Sequence, residues 1–310
     1  MYIYSQKFSR PAHRYPPQLH GFSGDATKPA PKLRVGTYWA NDFSKGCKGD
    51  SRLSQSDDLA RGFARAMAAQ GHQWVIDHDS SRASPTDWLS FLDNKGIPFD
   101  NSDAGQGVDT TDFAYLVTHG AVTFVNKPPP NKDLFVYRAA FGLNAPLGDL
   151  AFRVESTSSV TWPKCIWFNN KSKLGDKNLR WVVIDACESV QMPGYVKSEK
   201  MNLDVDPGKM WHHAFHGLNM VLGFTDYSSD AWWTNLRGMA FGRRAGAGQK
   251  LASAWVDEAY SYWVGDKPAA LACGHNEADA ANRLRFDSVT APFVRIPHDK
   301  IGGYAWIWRS

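Results

Sequence analysis

Cysteine is scarce in this chain. Cys47, Cys165, Cys187 and Cys273 are all there are in 310 residues, and no two of them form a CxxC pair. A disulfide scaffold is therefore not expected, and a soluble, reducing, cytoplasmic setting is the default. Long apolar runs are missing too. No stretch approaches the roughly 20 apolar residues of a membrane span. The N-terminal MYIYSQKFSRPAHRYPP holds no apolar core of a signal peptide. No basic stripe with interleaved aromatics is found, so neither a membrane nor a nucleic acid is the expected partner. Internal repeats and low-complexity tracts are also absent.

Charge is nearly balanced at +4. The excess is local: Lys7, Arg10, Arg14, Lys28, Lys32 and Arg34 face the single acid Asp25 in the first 34 residues. A basic arm of this kind can touch an anionic partner, but a solvated leader is the simpler reading. Residues 1–32, rich in Pro, Gly and His, are read as that arm, lying on the surface or disordered.

What remains is ample for a core. The chain is 43% hydrophobic and 13% aromatic, which implies a folded globular protein. LRVGTYW (33–39) reads as a strand. A helix follows from Ser56-Asp57-Asp58, whose cap and negative charge suit a helix start. Leu59, Phe63, Ala66 and Met67 share one face, and Gly71 ends it. HQWVIDH (72–78) is the next strand. Strand, helix, strand at this spacing predicts a parallel βαβ unit. Further strands are predicted at DFAYLVTHG (112–120), LRWVVIDACES (179–189), MVLGFTD (220–226) and YAWIW (304–308). KLASAWVDEAYSYW (250–263) reads as a helix, and a further helix is possible near Thr86–Asn94. LFVYRAAF fits a strand or a helix. The expected fold is a three-layer α/β/α sandwich on a mostly parallel sheet of about six strands. Residues 33–265 form the main domain in this reading, after the 1–32 arm and with 266–310 as an extension packed on it.

Two of these strands end in reactive residues. YLVTHG places His119 at a carboxyl end, and WVVIDAC places Cys187 at another. Sites in open parallel sheets form outside the carboxyl ends of the strands. Neighbouring strands would present both residues to one crevice. A thiol with an ordinary pKa near about 8.5 is mostly protonated at neutral pH, and a nearby histidine lowers that value or takes the proton. Gly120 leaves room for a substrate carbonyl. The N–H groups of Gly120 and Cys187 are candidates for an oxyanion hole. Each motif alone is unspecific, because cysteine is often a plain core residue.

Together, an apolar strand ending in His-Gly and a later one ending in Ala-Cys resemble the caspase-like cysteine peptidases. That group includes caspases, legumains, gingipains, clostripain and separase. IDACES (184–189) is similar to the legumain nucleophile segment. GLNMVLGFTDYSSDAWW (217–233), followed by the 250–263 helix, is similar to gingipain-type members. The layout also resembles a bacterial branch of uncharacterised function. The resemblance implies that His119 is the general base and acid and that Cys187 is the nucleophile. It implies peptide-bond hydrolysis through a thioester, with a peptide or protein as substrate and no cofactor. Two alternatives share these motifs: an acyl transferase, ligase or cyclase on the same dyad, and a non-catalytic binding module. Asp185 matches an acid that lines the substrate pocket in legumains; equally, it could cap a strand end. Asp42, Asp226 and Asp230 fall where pocket loops follow strands in this fold. They make Arg or Lys the expected residue before the scissile bond, unless they merely cap turns.

Other clusters carry less. His212 and His216 are spaced i, i+4, with His213 between them. No HExxH motif or third ligand accompanies them, so no metal is expected. GRRAGAGQK (242–250) lacks the GK[ST] ending of a phosphate loop.

Overall fold

A computed structural model describes residues 4–7, 32–42, 52–79, 107–126, 135–142, 166–168, 173–192, 206–260 and 265–309. The proposed helix near Thr86–Asn94, as well as Cys47 and Cys165, lies outside them.

The first βαβ unit forms as its pattern predicts. Strand β2 (Arg34–Trp39) leads through helix α1 (Ser56–Ala69) to β3 (Gln73–Asp79), and β2 and β3 pair in parallel. Gly71 adopts φ +91°, the left-handed conformation that glycine takes without a Cβ penalty. The helix start differs from expectation. Ser56 is already helical, and its hydroxyl is turned to the Ala40 carbonyl. The Asp230 carboxylate instead accepts the N–H groups of Ser54 (2.5 Å) and Gln55 (2.8 Å) from a distant loop.

Strands β4 (Phe113–Val117), β8 (Trp181–Asp185) and β9 (Met220–Phe224) extend the sheet in parallel from β2. All three are buried along their whole length, as strands covered on both faces must be. Beyond β9, strand β10 (Pro268–Gly274) runs antiparallel, and β11 (Gly303–Trp308) turns back again. A short β1 (Tyr4–Lys7) closes the edge in parallel with β11. The sheet thus has eight strands in the order β1-β11-β10-β9-β8-β4-β2-β3. Residues 266–310 are not an appendage, since β10 and β11 belong to the central sheet. Part of the basic arm is likewise an edge strand. Separately, β5 (Gly120–Asn126), β6 (Phe135–Gly142) and β7 (Ile166–Phe168) make a three-stranded antiparallel sheet. Of LFVYRAAF, residues 135–141 are therefore strand.

Alternate side chains of β4, β8 and β9 feed two cores. Trp181 and Val183 join Phe113, Tyr115 and Leu222 on one face, against α1, α3 (Arg237–Gly246), α4 (Leu251–Glu258) and α5 (Glu277–Phe286). Val182, Ile184 and Leu116 join the other, with Met210 and Trp211 of the short helix α2 (Pro207–Trp211). The result is a mixed α/β sandwich. The α4 helix stops at Glu258, earlier than its apolar pattern suggested.

Candidate functional site

Register brings the His119 and Cys187 segments together. On adjacent strands β4 and β8, Val117 is paired with Asp185. His119 and Cys187 each follow two residues later, at the same carboxyl edge of the sheet. Thr118 N–H still donates to the Asp185 carbonyl at 3.2 Å. The chain reverses its direction of travel across the sheet between β2 and β4, and such switch points open a crevice at the carboxyl edge.

Gly120 lies directly against the Ala186-Cys187 segment. A Cβ at this position would land on the Cys187 carbonyl oxygen and come within 2.9 Å of the Ala186 methyl. Only glycine lets the His119–Gly120 backbone approach that closely. The first strand of the smaller sheet starts at the same residue, so His119 sits in the two-residue joint between the sheets.

Cys187 is partly buried, at the head of a tight turn. The next residue, Glu188, has φ +52°, a left-handed conformation that is strained for a residue with a side chain. Its N–H donates to the Asp226 carbonyl at 2.8 Å. The turn is tied further by Ser189, whose hydroxyl donates to the Ile184 carbonyl and accepts from Phe224 N–H, both at 2.9 Å. The loop after β9 then covers the thiol. Ser228 N–H points at Cys187 Sγ from 3.4 Å, and the Ser228 carbonyl lies 3.7 Å from it.

Burial pushes the Cys187 thiol above its ordinary pKa. The Ser228 N–H works against that shift, and the carboxylates of Glu188, Asp185 and Asp266 add to it. Cys273, in the core, is pushed up to about 12, mainly by burial. Cys187 is thus the more ionisable of the two cysteines among the described residues.

The acids expected to line an open pocket are placed otherwise. Asp185 is buried, and both its oxygens are used. It accepts Arg237 Nε at 2.8 Å, Arg237 Nη2 at 2.6 Å, Tyr115 OH at 2.8 Å and Ser228 Oγ at 2.5 Å. Arg237 also pairs with Asp266 at 3.0 Å. Burial opposes the guanidinium charge; Asp185 and Asp266 more than restore it. Asp226 pairs with Lys267 at 2.7 Å. Asp230 holds the start of α1, as described above. Asp42 is exposed after β2. Arg237 lies beside Asp185 in space, 52 residues from it in sequence.

On either side of Ser228, the side chains of Tyr227, Trp232, Trp233 and Leu236 are exposed. Trp233 and Leu236 also line a cavity of about 230 Å³, together with Tyr260, Glu258, Arg237 and Asp266. The histidines gather elsewhere. His216 stacks on His298 with ring centroids 4.4 Å apart, His212 meets the same ring tilted at 4.5 Å, and His212 Nδ1 meets Tyr304 OH at 2.7 Å. Among the described residues, no group of three or more His, Cys, Asp or Glu side chains could hold a metal ion. No helix among them is long and apolar enough to cross a membrane.

No curated protein matches the sequence. One family model does, over residues 37–288, from within β2 to just past α5 and across every residue of this site. By that match the chain belongs to the family described as Domain of unknown function (DUF6345).

Proposed function

We propose that this protein is a cysteine peptidase of caspase-like architecture, with Cys187 as nucleophile and His119 as its general base and acid. The observation that carries the reading is the β4–β8 register, which sets His119-Gly120 beside Cys187 at the carboxyl edge of the sheet. In this mechanism His119 takes the thiol proton and the Cys187 sulfur attacks the scissile carbonyl. The N–H groups of Gly120 and Cys187 receive the developing oxyanion. His119 then returns the proton to the leaving amine, and water hydrolyses the thioester. The strained turn at Glu188 supports the assignment, because strain of this kind collects at functional sites. The exposed Tyr227, Trp232 and Trp233 offer apolar surface to a peptide chain. A free thiol nucleophile suits a reducing, cytoplasmic compartment.

Preference for Arg or Lys before the scissile bond belongs to the proposal on a changed basis. Asp185 and Asp226 already hold cations of the protein itself. The carboxylates of Glu188, Asp185 and Asp266 nevertheless lie near enough to oppose ionisation of the thiol, so their field reaches it. A cationic side chain nearby is favoured by that field.

The test is a panel of peptidyl acyloxymethyl ketones bearing Arg, Lys, Asn or Asp, followed by mass spectrometry. One adduct on Cys187, formed fastest with Arg or Lys, is the expected result. Absence of any adduct, or an adduct on another cysteine, overturns the peptidase reading. A fastest reaction with Asp or Asn overturns the specificity alone.

A further inference from the structure

The sulfur of Cys187 is held by a residue that no catalytic motif marks. Ser228 presents its backbone N–H to Sγ at 3.4 Å. Its side chain faces the other way, into the buried ion cluster. There the hydroxyl donates to Asp185 Oδ1 at 2.5 Å and accepts Arg237 Nη2 at 2.7 Å. The neighbouring Ser229 anchors the same loop to Asp266 through its N–H (3.0 Å) and hydroxyl (2.6 Å). Arg237 bridges Asp185, Asp266 and Ser228 in one arrangement. Its guanidinium therefore ties the strand carrying the nucleophile to the loop that covers it.

We infer that Ser228, held in place by Arg237, is a positioning residue that aims a backbone N–H at the Cys187 sulfur and sets the acidity of that thiol. The proposal rests on the peptidase reading only in taking Cys187 as the nucleophile. Burial first, and then three carboxylates, oppose a thiolate at this position. A hydrogen bond donated to the sulfur favours the ionised form, because the donor meets a full negative charge instead of a neutral thiol. The N–H does this only while the loop holds its orientation. The Ser228 hydroxyl, wedged between Asp185 and Arg237, fixes that orientation. His119 completes the reaction by receiving the proton. Ser228 transfers none and is not a catalytic residue.

Ser228→Ala keeps the backbone N–H and removes the anchor. Cys187 alkylation by iodoacetamide is followed by mass spectrometry across pH. In the variant the midpoint should move to higher pH, with the rate at pH 7 falling about three- to tenfold. Ser228→Thr keeps the hydroxyl and should stay within about twofold of the parent protein. Simple loosening of the loop gives the opposite sign, since an uncovered thiol is better solvated and reacts faster. An unchanged or lowered midpoint in Ser228→Ala overturns the proposal. The unaltered protein provides a second reading that does not depend on the variant folding. The Ser228 amide signal in NMR should shift with the same midpoint as Cys187 alkylation; an amide indifferent to that ionisation also overturns the proposal. Neither measurement uses a peptide, so a protein that passes both yet gives no ketone adduct refutes the peptidase reading and leaves the Ser228 assignment standing.

Discussion

Arg237 is 6% exposed, and its charge is balanced by Asp185 and Asp266. Breaking a buried ion pair by removing one partner leaves an uncompensated charge, and typically costs about 3–5 kcal/mol. Asp185→Ala should fall near the lower end of that range, because Asp266 and Ser228 still contact the guanidinium. Urea unfolding measures it. A loss below about 1 kcal/mol, the scale of an exposed pair, would show that the cluster is not structural. Sequence reading could single out Asp185, because it stands two residues before a cysteine at a strand end. It could not show what Asp185 bonds. Arg237, Tyr115 and Ser228 are 52, 70 and 43 residues away, and nothing local marks any of them. The same limit applies to Asp226 and Asp230. The sequence displays their charge and hides Lys267 and the amides of residues 54 and 55, so they read as pocket acids.

Elements built on large apolar residues at a regular period were legible, whereas those built on small residues were not. The α1 helix shows Leu59, Phe63 and Met67 on one face. Its partner α3, RGMAFGRRAG, buries glycines instead. A Cβ on Gly238 would land on the Leu59 carbonyl, and one on Gly242 would come within 2.6 Å of the Phe63 carbonyl. This contact of bare backbones has no hydrophobic period to read. Likewise β10, PAALACG, is alanine-rich and carries little strand signal. Gly238→Ala makes the two effects compete. Helix propensity favours alanine by about 1 kcal/mol. Overpacking against a backbone atom that cannot rotate away costs about 1–3 kcal/mol or more. The expected outcome is net destabilisation, seen as a lower urea midpoint. A gain in stability would mean that α1 and α3 slide apart freely.

At the scale of the molecule, the parallel half was readable because strand-helix-strand spacing admits few topologies. The position of β10 as the single reversed strand was not, and neither was the inclusion of residues 266–310 in the sheet. Both depend on pairings between segments far apart in the chain. The whole fold also carries a pH signature. Burial lowers the pKa of His72, against a backbone contact from Gly246 and the charge of Asp112 that raise it. Burial and then His298 lower that of His212. His72 Nδ1 accepts the Leu33 N–H at 3.2 Å, which a protonated ring nitrogen cannot do. Below the unfolded histidine value of about 6.5, the unfolded chain therefore binds more protons than the folded one, and stability falls as pH falls. At the alkaline end Cys187 and Cys273 are raised, chiefly by burial. The unfolded thiols release protons from about pH 8.5, where the folded ones retain theirs, so stability falls again as pH rises. Burial also raises Asp266 and Asp287, whose opposite contribution, stability gained as pH falls, runs from their raised folded values down to the unfolded carboxylate value of about 3.9. Thermal unfolding at constant ionic strength should thus show a plateau between about pH 6.5 and 8.5. His72→Gln combined with His212→Gln should flatten the acid limb and leave the alkaline limb in place. Stability that rises from pH 7 to pH 5.5, or an acid limb untouched by the double substitution, would remove these histidines as its origin.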